Sequence, residues 1–357
     1  MRLRSWYKYV LMKKILSRRE ALRWMALTAA ASLAACQKAN LLTPVLDQVG
    51  MPSQNPTRLP EPNPTAASQP VEPSPDPTAI SQPVEPTPEQ AYLAVARGED
   101  PAAIIEAALR ALGGIERFVK NGYDVIIKPN ICTDYYPYEY GATTNPDVVA
   151  ALVRLSLGAG ARRVRVMDSP FGGTAESAYA RSGIADAVKA AGGEMEVMNP
   201  NKYRMTPIPE GRSITEWEIY QDVLNCDLMI DVPTAKHHNL AQITVGSKNL
   251  MGVIQKRSSI HAEMAERIPD LISVIRPGLT VVDAVRTLMR HGPTGGNLDD
   301  VRINNTVIAS HDIVAADSYA AGLFGLRGAD IPYLATAAER GLGKIELGGL
   351  KIEEVSL

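Results

Sequence analysis

Asp124-Val-Ile-Ile-Lys-Pro-Asn130, followed by Thr143-Thr-Asn-Pro-Asp-Val-Val-Ala-Ala-Leu-Val-Arg-Leu-Ser-Leu-Gly158 and Val164-Arg-Val-Met-Asp-Ser169, is the passage that decides the fold. Its first and third parts are short and rich in β-branched residues, as buried strands are. Its middle part reads as a helix over Pro146–Ala159, with Asn145 as N-cap and Pro146 at the first helical position. Strand, helix, strand in that order implies a parallel pair with a crossover helix.

The rhythm continues outward. Asp227-Leu-Met-Ile-Asp-Val232, Leu279-Thr-Val-Val282 and Thr306-Val-Ile-Ala309 read as strands, and Pro101–Leu112, Ala175–Ala191, Ala262–Ile275 and Asp312–Leu323 as helices. The expected fold is α/β: a doubly wound, mostly parallel sheet with helices on both faces and small antiparallel additions near Glu194–Ile208. Ligands of such sheets sit beyond the carboxyl ends of the strands.

Those ends collect the reactive side chains. The first strand runs into Lys128-Pro-Asn130, the next into Asp168-Ser169, and a third into Pro233-Thr-Ala-Lys-His-His238; Asp283 and Asp312 follow two more. All five histidines fall after residue 236. Ser247-Lys248-Asn249 reads as a turn into a helix with Ser247 as N-cap, a seat for a carboxylate or phosphate or, equally, a plain cap with a solvated lysine. A plainer reading of Lys236 is a surface pair with Asp231.

The first 90 residues have another character. Ser17-Arg-Arg-Glu-Ala-Leu-Arg23 precedes an uncharged apolar run that ends in Leu33-Ala-Ala-Cys36. Basic region, short apolar run and small residues are the order of an export signal. The paired arginines resemble a twin-arginine address, and the last four residues a lipobox with Cys36 as the acylated residue. Residues 41–90 hold 13 of the 26 prolines, which favours an extended spacer and forbids a packed core. The expected organisation is a signal peptide over 1–35, a Pro-rich tether over 36–90 and an α/β domain over 91–357. The export machinery and, through the lipid anchor, the membrane are then partners, with the domain on the outer face of the cytoplasmic membrane or in the periplasm.

Charge excludes one class of partner. Of 37 basic and 39 acidic side chains, eight basic and one acidic lie in residues 1–23, leaving 29 against 38, a net −9. A protein that neutralises nucleic-acid phosphates starts from the opposite sign. P-loop, His-Glu-x-x-His and Gly-x-Ser-x-Gly motifs are absent, and His261-Ala-Glu263 lacks the Pro-Cys-x-x-Cys that a zinc deaminase requires.

Taken in order, Lys128-Pro-Asn130, Thr143-Thr-Asn-Pro146, Asp168-Ser169, Pro233-Thr-Ala-Lys-His237, Ser247-Lys-Asn249 with Gly252, His261, Asp283, Gly292-Pro293 and Asp312 with Asp317 resemble the DUF362 family. The resemblance spans residues 91–350 and implies no defined activity. Many members of that family carry Cys-x-x-Cys segments for iron–sulfur clusters. Beyond Cys36 this chain has only Cys132 and Cys226, too few for a four-cysteine cluster, and both are expected as free thiols.

Three functional classes stand open. One is an enzyme acting on a small anionic substrate, held by Lys128, Asn130, Lys236, Ser247, Lys248 and Asn249, with His237, His261, Asp168 and Asp283 as catalytic candidates. A divalent metal, with His237, His238, His261 and Asp312 as its ligands, is a candidate cofactor. The others are a non-catalytic solute- or metal-binding lipoprotein and a redox-associated protein without a cluster of its own.

Overall fold

The computed structural model describes residues 85–87 and 89–357; the expected signal, Cys36 and the tether up to residue 84 lie outside them. The strands are β1 (Leu93–Arg97), β2 (Asp124–Pro129), β3 (Arg163–Val166), β4 (Glu194–Met195), β5 (Tyr203–Pro207), β6 (Glu216–Tyr220), β7 (Leu228–Val232), β8 (Thr234–His238), β9 (Gln242–Thr244), β10 (Leu279–Leu288), β11 (Val301–Ser310) and β12 (Ile352–Ser356). The helices are α1 (Pro101–Ala111), α2 (Pro146–Gly158), α3 (Ala175–Arg181), α4 (Ile184–Ala190), α5 (Gln221–Asn225), α6 (Gly246–Asn249), α7 (Met264–Ile275), α8 (Ile313–Ala321) and α9 (Pro332–Glu339).

The main sheet runs β12-β1-β11-β10-β7-β2-β3-β4. From β10 through β7, β2 and β3 to β4 every pairing is parallel, whereas β11 is antiparallel to both β10 and β1. Every residue of β2 and β7 is buried, as central parallel strands covered on two sides require. Strand alternation divides their side chains: Val125 and Ile127 join one core with Ile104 and Leu152 of the α1 and α2 face, while Ile126 and Met229 join the other, with Leu271 of α7 and Leu334 of α9. The sheet is thus doubly covered, and the α/β architecture stands as read from sequence.

Several local readings change. Ala175–Ala191 is two helices, because Gly183 takes a left-handed φ of +77° between α3 and α4. In the Glu194–Ile208 region β4 pairs parallel with β3, and the antiparallel addition is the β5–β6 hairpin. The segment after Pro233 is not a strand-end loop. Pro233 removes one ladder donor, and the chain then re-enters extended structure as β8, parallel to β10 and antiparallel to β9. No helix of the described residues is long and apolar enough to cross a membrane.

Candidate functional site

The carboxyl ends of β2 and β3, the strand β8 and the short helix α6 converge on one cavity of about 420 Å³, whose lining includes Asn130, Asp168, Lys236, His238, Lys248 and His261. Beneath it lies a closed polar network. Lys128 Nζ, fully buried, reaches Asp168 Oδ1 at 2.9 Å, Asn249 Oδ1 at 3.0 Å and the Pro129 carbonyl at 2.9 Å. Asp168 also accepts the backbone N–H groups of Ile131 (2.6 Å) and Ser169 (2.9 Å). Asn249 passes the network on, donating to Asp231 (2.8 Å) and accepting from Asn130 Nδ2 (2.9 Å). Gly252 closes over this ion pair, and a Cβ there would stand 2.1 Å from Asp168 Oδ1 and 2.6 Å from Lys128 Nζ. Only glycine permits that approach.

The cavity wall carries three more cations. Lys236 Nζ donates to Asn130 Oδ1 (2.8 Å), the Ala142 carbonyl (2.5 Å) and Cys132 Sγ (3.4 Å), and burial lowers its pKa against the opposing pull of Cys132. Arg257 is held by the Ser169 hydroxyl (2.7 Å) and by the Ser169 and Pro170 carbonyls. Lys248 Nζ has neither a carboxylate nor a carbonyl: its partners are Met251 Sδ at 3.6 Å and His261 Nε2 at 3.4 Å. Asp168 is the one acid in the lining, and Lys128 already neutralises it. The cavity therefore presents uncompensated positive charge.

Ionisation follows from that placement. Burial, reinforced by the Lys236 and Arg257 charges, pushes Lys248 down to about 8. Burial, then Lys248 and Lys236, push His238 down to about 3, and burial with Lys248 also lowers His261. His238 Nδ1 accepts from the N–H groups of Leu240 (3.1 Å) and Ala241 (3.3 Å), which assigns its ring proton to Nε2. His261 Nδ1 faces the Ser258 carbonyl at 3.3 Å, which can only accept, so its proton sits on Nδ1 and the Nε2 lone pair points at Lys248.

The structure thus gathers Asp168, Asn130, Lys236, His238, Lys248, Asn249 and His261 around one space, with Lys128 directly below. It does not bring the others there. His237 is one residue from two cavity-lining neighbours, but strand alternation turns it away, and its Nδ1 accepts from Gly292 N at 3.2 Å. Asp283 is fully buried beneath Asn145 and Val285, whose N–H groups it accepts at 2.7 and 3.0 Å; burial holds it up at about 6. Ser247 is not the cap of α6. That position is Val245, and the free N–H groups of Gly246 and Ser247 are taken by the Asp317 carboxylate at 2.8 and 2.7 Å. Asp317, raised to about 7 by burial, occupies the place expected for an anion. Lys236 does not pair with Asp231 at the surface, since both are buried and Asp231 contacts Asn249 instead.

The proposed metal set dissolves for similar reasons. Asp312 caps α8 through Val314 N and Ala315 N and accepts from Tyr92 Oη at 2.6 Å. It lines a separate cavity of about 650 Å³ with His311 and Lys344. Among the described residues no group of three or more His, Cys, Asp or Glu side chains is placed to hold a metal ion. Arg257 was missed altogether. It belongs to no motif and enters the site only because a 3₁₀ segment, Arg257–Glu263, lies across the end of β3. Cys132 and Cys226 are free thiols, and Cys132 lies against Lys236 in the cavity wall.

Thylakoid-associated protein sll1697 of Synechocystis sp. is 27% identical over 249 residues, covering 67% of this chain and 75% of that protein. Among solved structures, the lactate racemase apoprotein of Thermoanaerobacterium thermosaccharolyticum matches with a TM-score of 0.43 and 13% identity, over 67% of this chain and 58% of that one. A Thermotoga maritima protein matches with a TM-score of 0.35 and 12% identity, over 64% and 60%. The model of the domain of unknown function DUF362 matches residues 125–322, which include the carboxyl ends of β2, β3 and β7, all of β8 and the whole of α6, and the chain belongs to that family.

Proposed function

We propose that this chain is an exported, lipid-anchored protein whose cavity takes a small anionic molecule and carries out proton-transfer chemistry on it. The observation that carries the reading is the charge imbalance: Lys236, Lys248 and Arg257 line a cavity whose one carboxylate is already paired with Lys128. Buried charge without a partner is costly, and an incoming carboxylate or phosphate relieves that cost for all three cations at once. Arg257, anchored on Ser169 and Pro170, serves as the anion holder, and Lys236, whose three protons already have acceptors, adds its charge. Lys248, held at about 8, supplies a proton donor, and His261, whose pKa burial and Lys248 lower, supplies a neutral proton acceptor.

Export and anchoring rest on the paired arginines, the short apolar run and Cys36. The thylakoid-associated relative is compatible with a position at a membrane. Replacement of Cys36 by Ala is expected to move the protein from the membrane fraction to the soluble fraction. For the cavity, a thermal-shift titration with succinate and with inorganic phosphate is expected to raise Tm. Arg257→Ala should weaken the binding about tenfold or more, the magnitude of a lost charge-assisted hydrogen bond. Equal affinity in Arg257→Ala and the parent would remove Arg257 from the site. The absence of any shift with either anion would end the reading.

A further inference from the structure

Three buried lysines surround the cavity, and they differ in one respect. Lys128 and Lys236 each meet three acceptors, enough for the three protons of an ammonium group. Lys248, 7% exposed, meets a thioether and the unprotonated nitrogen of a histidine. No carboxylate or carbonyl oxygen is there to hold a positive charge, and Lys236 and Arg257 disfavour one. An amine placed so is suited to nucleophilic work, not to charge pairing.

We infer that Lys248 forms a covalent imine with a small carboxylate that also bears a carbonyl group, an oxo acid, its carboxylate held by Arg257 beside the Lys236 charge, with His261 Nε2 as the proton carrier. The inference rests on the anion-binding reading above and adds to it the reacting group and the class of substrate. The Lys248 nitrogen lone pair adds to the carbonyl carbon, making the C–N bond, while the C=O π pair moves to oxygen. Both amine protons pass in turn through His261 Nε2 to that oxygen, which leaves as water, and the nitrogen lone pair closes the C=N bond. Amine and carbonyl compound become imine and water with no change of oxidation state. The neutral, Nδ1-protonated form of His261 is the state this relay needs, and the Ser258 carbonyl fixes it.

The test is reductive trapping. The full-length protein is incubated with pyruvate and sodium cyanoborohydride, then analysed by intact mass and peptide mapping. The expected result is a single reduced adduct on Lys248, forming faster as pH rises towards about 8, slowed in His261→Ala and lost in Lys248→Met. Lys248→Met removes a buried charge and is expected to fold. A scatter of adducts over surface lysines, or an unchanged adduct mass in Lys248→Met, would overturn the inference. Succinate, which has no carbonyl to react, separates the two readings. A thermal shift with succinate and pyruvate but no trapped adduct refutes the imine and leaves anion binding standing. No shift with either, and no adduct, removes both.

Discussion

Arg165 and Lys248 are both long cations taken out of water, and the molecule treats them in different ways. Arg165, on β3, faces a full set of opposite charges. It donates to Asp124 at 2.8 Å and Glu196 at 3.2 Å and touches Asp222 as well, while Arg163 and Lys202 share the same acids. Three cations and three carboxylates balance there. Burial opposes the Arg165 charge, but Asp124, Asp222 and Glu196 outweigh it and hold the guanidinium above its ordinary range. Around Lys248 the count is three cations to no free carboxylate. A balanced cluster holds β3 to its neighbours. An unbalanced one waits for a charge from outside, and that difference separates scaffold from site more sharply than burial or residue type does.

The largest expected effect comes from unbalancing the first cluster. Arg165→Ala leaves three carboxylates facing each other with only the half-exposed Arg163 and Lys202 to answer them. Breaking a buried ion cluster in this way costs about 3–5 kcal/mol. Denaturant unfolding at neutral pH should show it, with recovery as pH falls and the acids take up protons. A loss under about 1 kcal/mol, the range of an exposed pair, would mean that the cluster is no more structural than a surface salt bridge.

The second cluster should answer with the opposite sign. Lys248→Met replaces an unpaired buried ammonium with an apolar side chain of similar length and is expected to stabilise the domain by about 3 kcal/mol at pH 7, the order of a pKa lowered to about 8. Below pH 8 both folded and unfolded chains carry the proton and the full penalty applies. Between about 8 and 10.5 the folded chain has released a proton that the unfolded chain keeps, so the parent gains stability as pH rises and the advantage of the variant shrinks. Parallel unfolding curves at pH 7 and pH 9.5 measure this. A destabilised variant at pH 7 would show that Lys248 is held by its surroundings as firmly as Arg165 is. A side chain that lowers stability and is nonetheless present is a mark of function.

How far the sequence led towards this contrast depends on the residue. The β2–α2–β3 unit was legible because periodicity and the Asn145-Pro146 start are local signals, and the strand-end rule then pointed to Lys128, Asp168 and Lys236, which share one site, and equally to Asp283 and Asp312, which do not. His237 and His238 were not separable while their segment was read as a loop, because only the alternation of a strand sends one inward and its neighbour away. Ser247 failed through a contact 70 residues distant, the Asp317 carboxylate that fills the α6 start. Asp312 read equally as ligand and as helix cap, and it is the cap. Arg257 left no signal because its role comes from where a 3₁₀ segment crosses the sheet end.

The smallest expected effect bears on whether the imbalance is real. Asp231 lies on β7 just under the cavity floor, fully buried, with Oδ1 bonded to Asn249 and Oδ2 without a partner. Burial, opposed by Lys128, raises its pKa well above the usual carboxylate range, so the folded chain keeps its proton where the unfolded chain ionises. Its folded form therefore loses stability as pH rises from the ordinary carboxylate value. Asn in its place offers the same acceptor to Asn249 and never ionises. Asp231→Asn should lie within about 1 kcal/mol of the parent at pH 5 and shift in favour of Asn by pH 8. Should Asn instead prove several kcal/mol worse at both pH values, Asp231 would be an ionised partner of Lys128, the floor of the cavity would hold a second negative charge, and the excess that draws an anion would shrink by one.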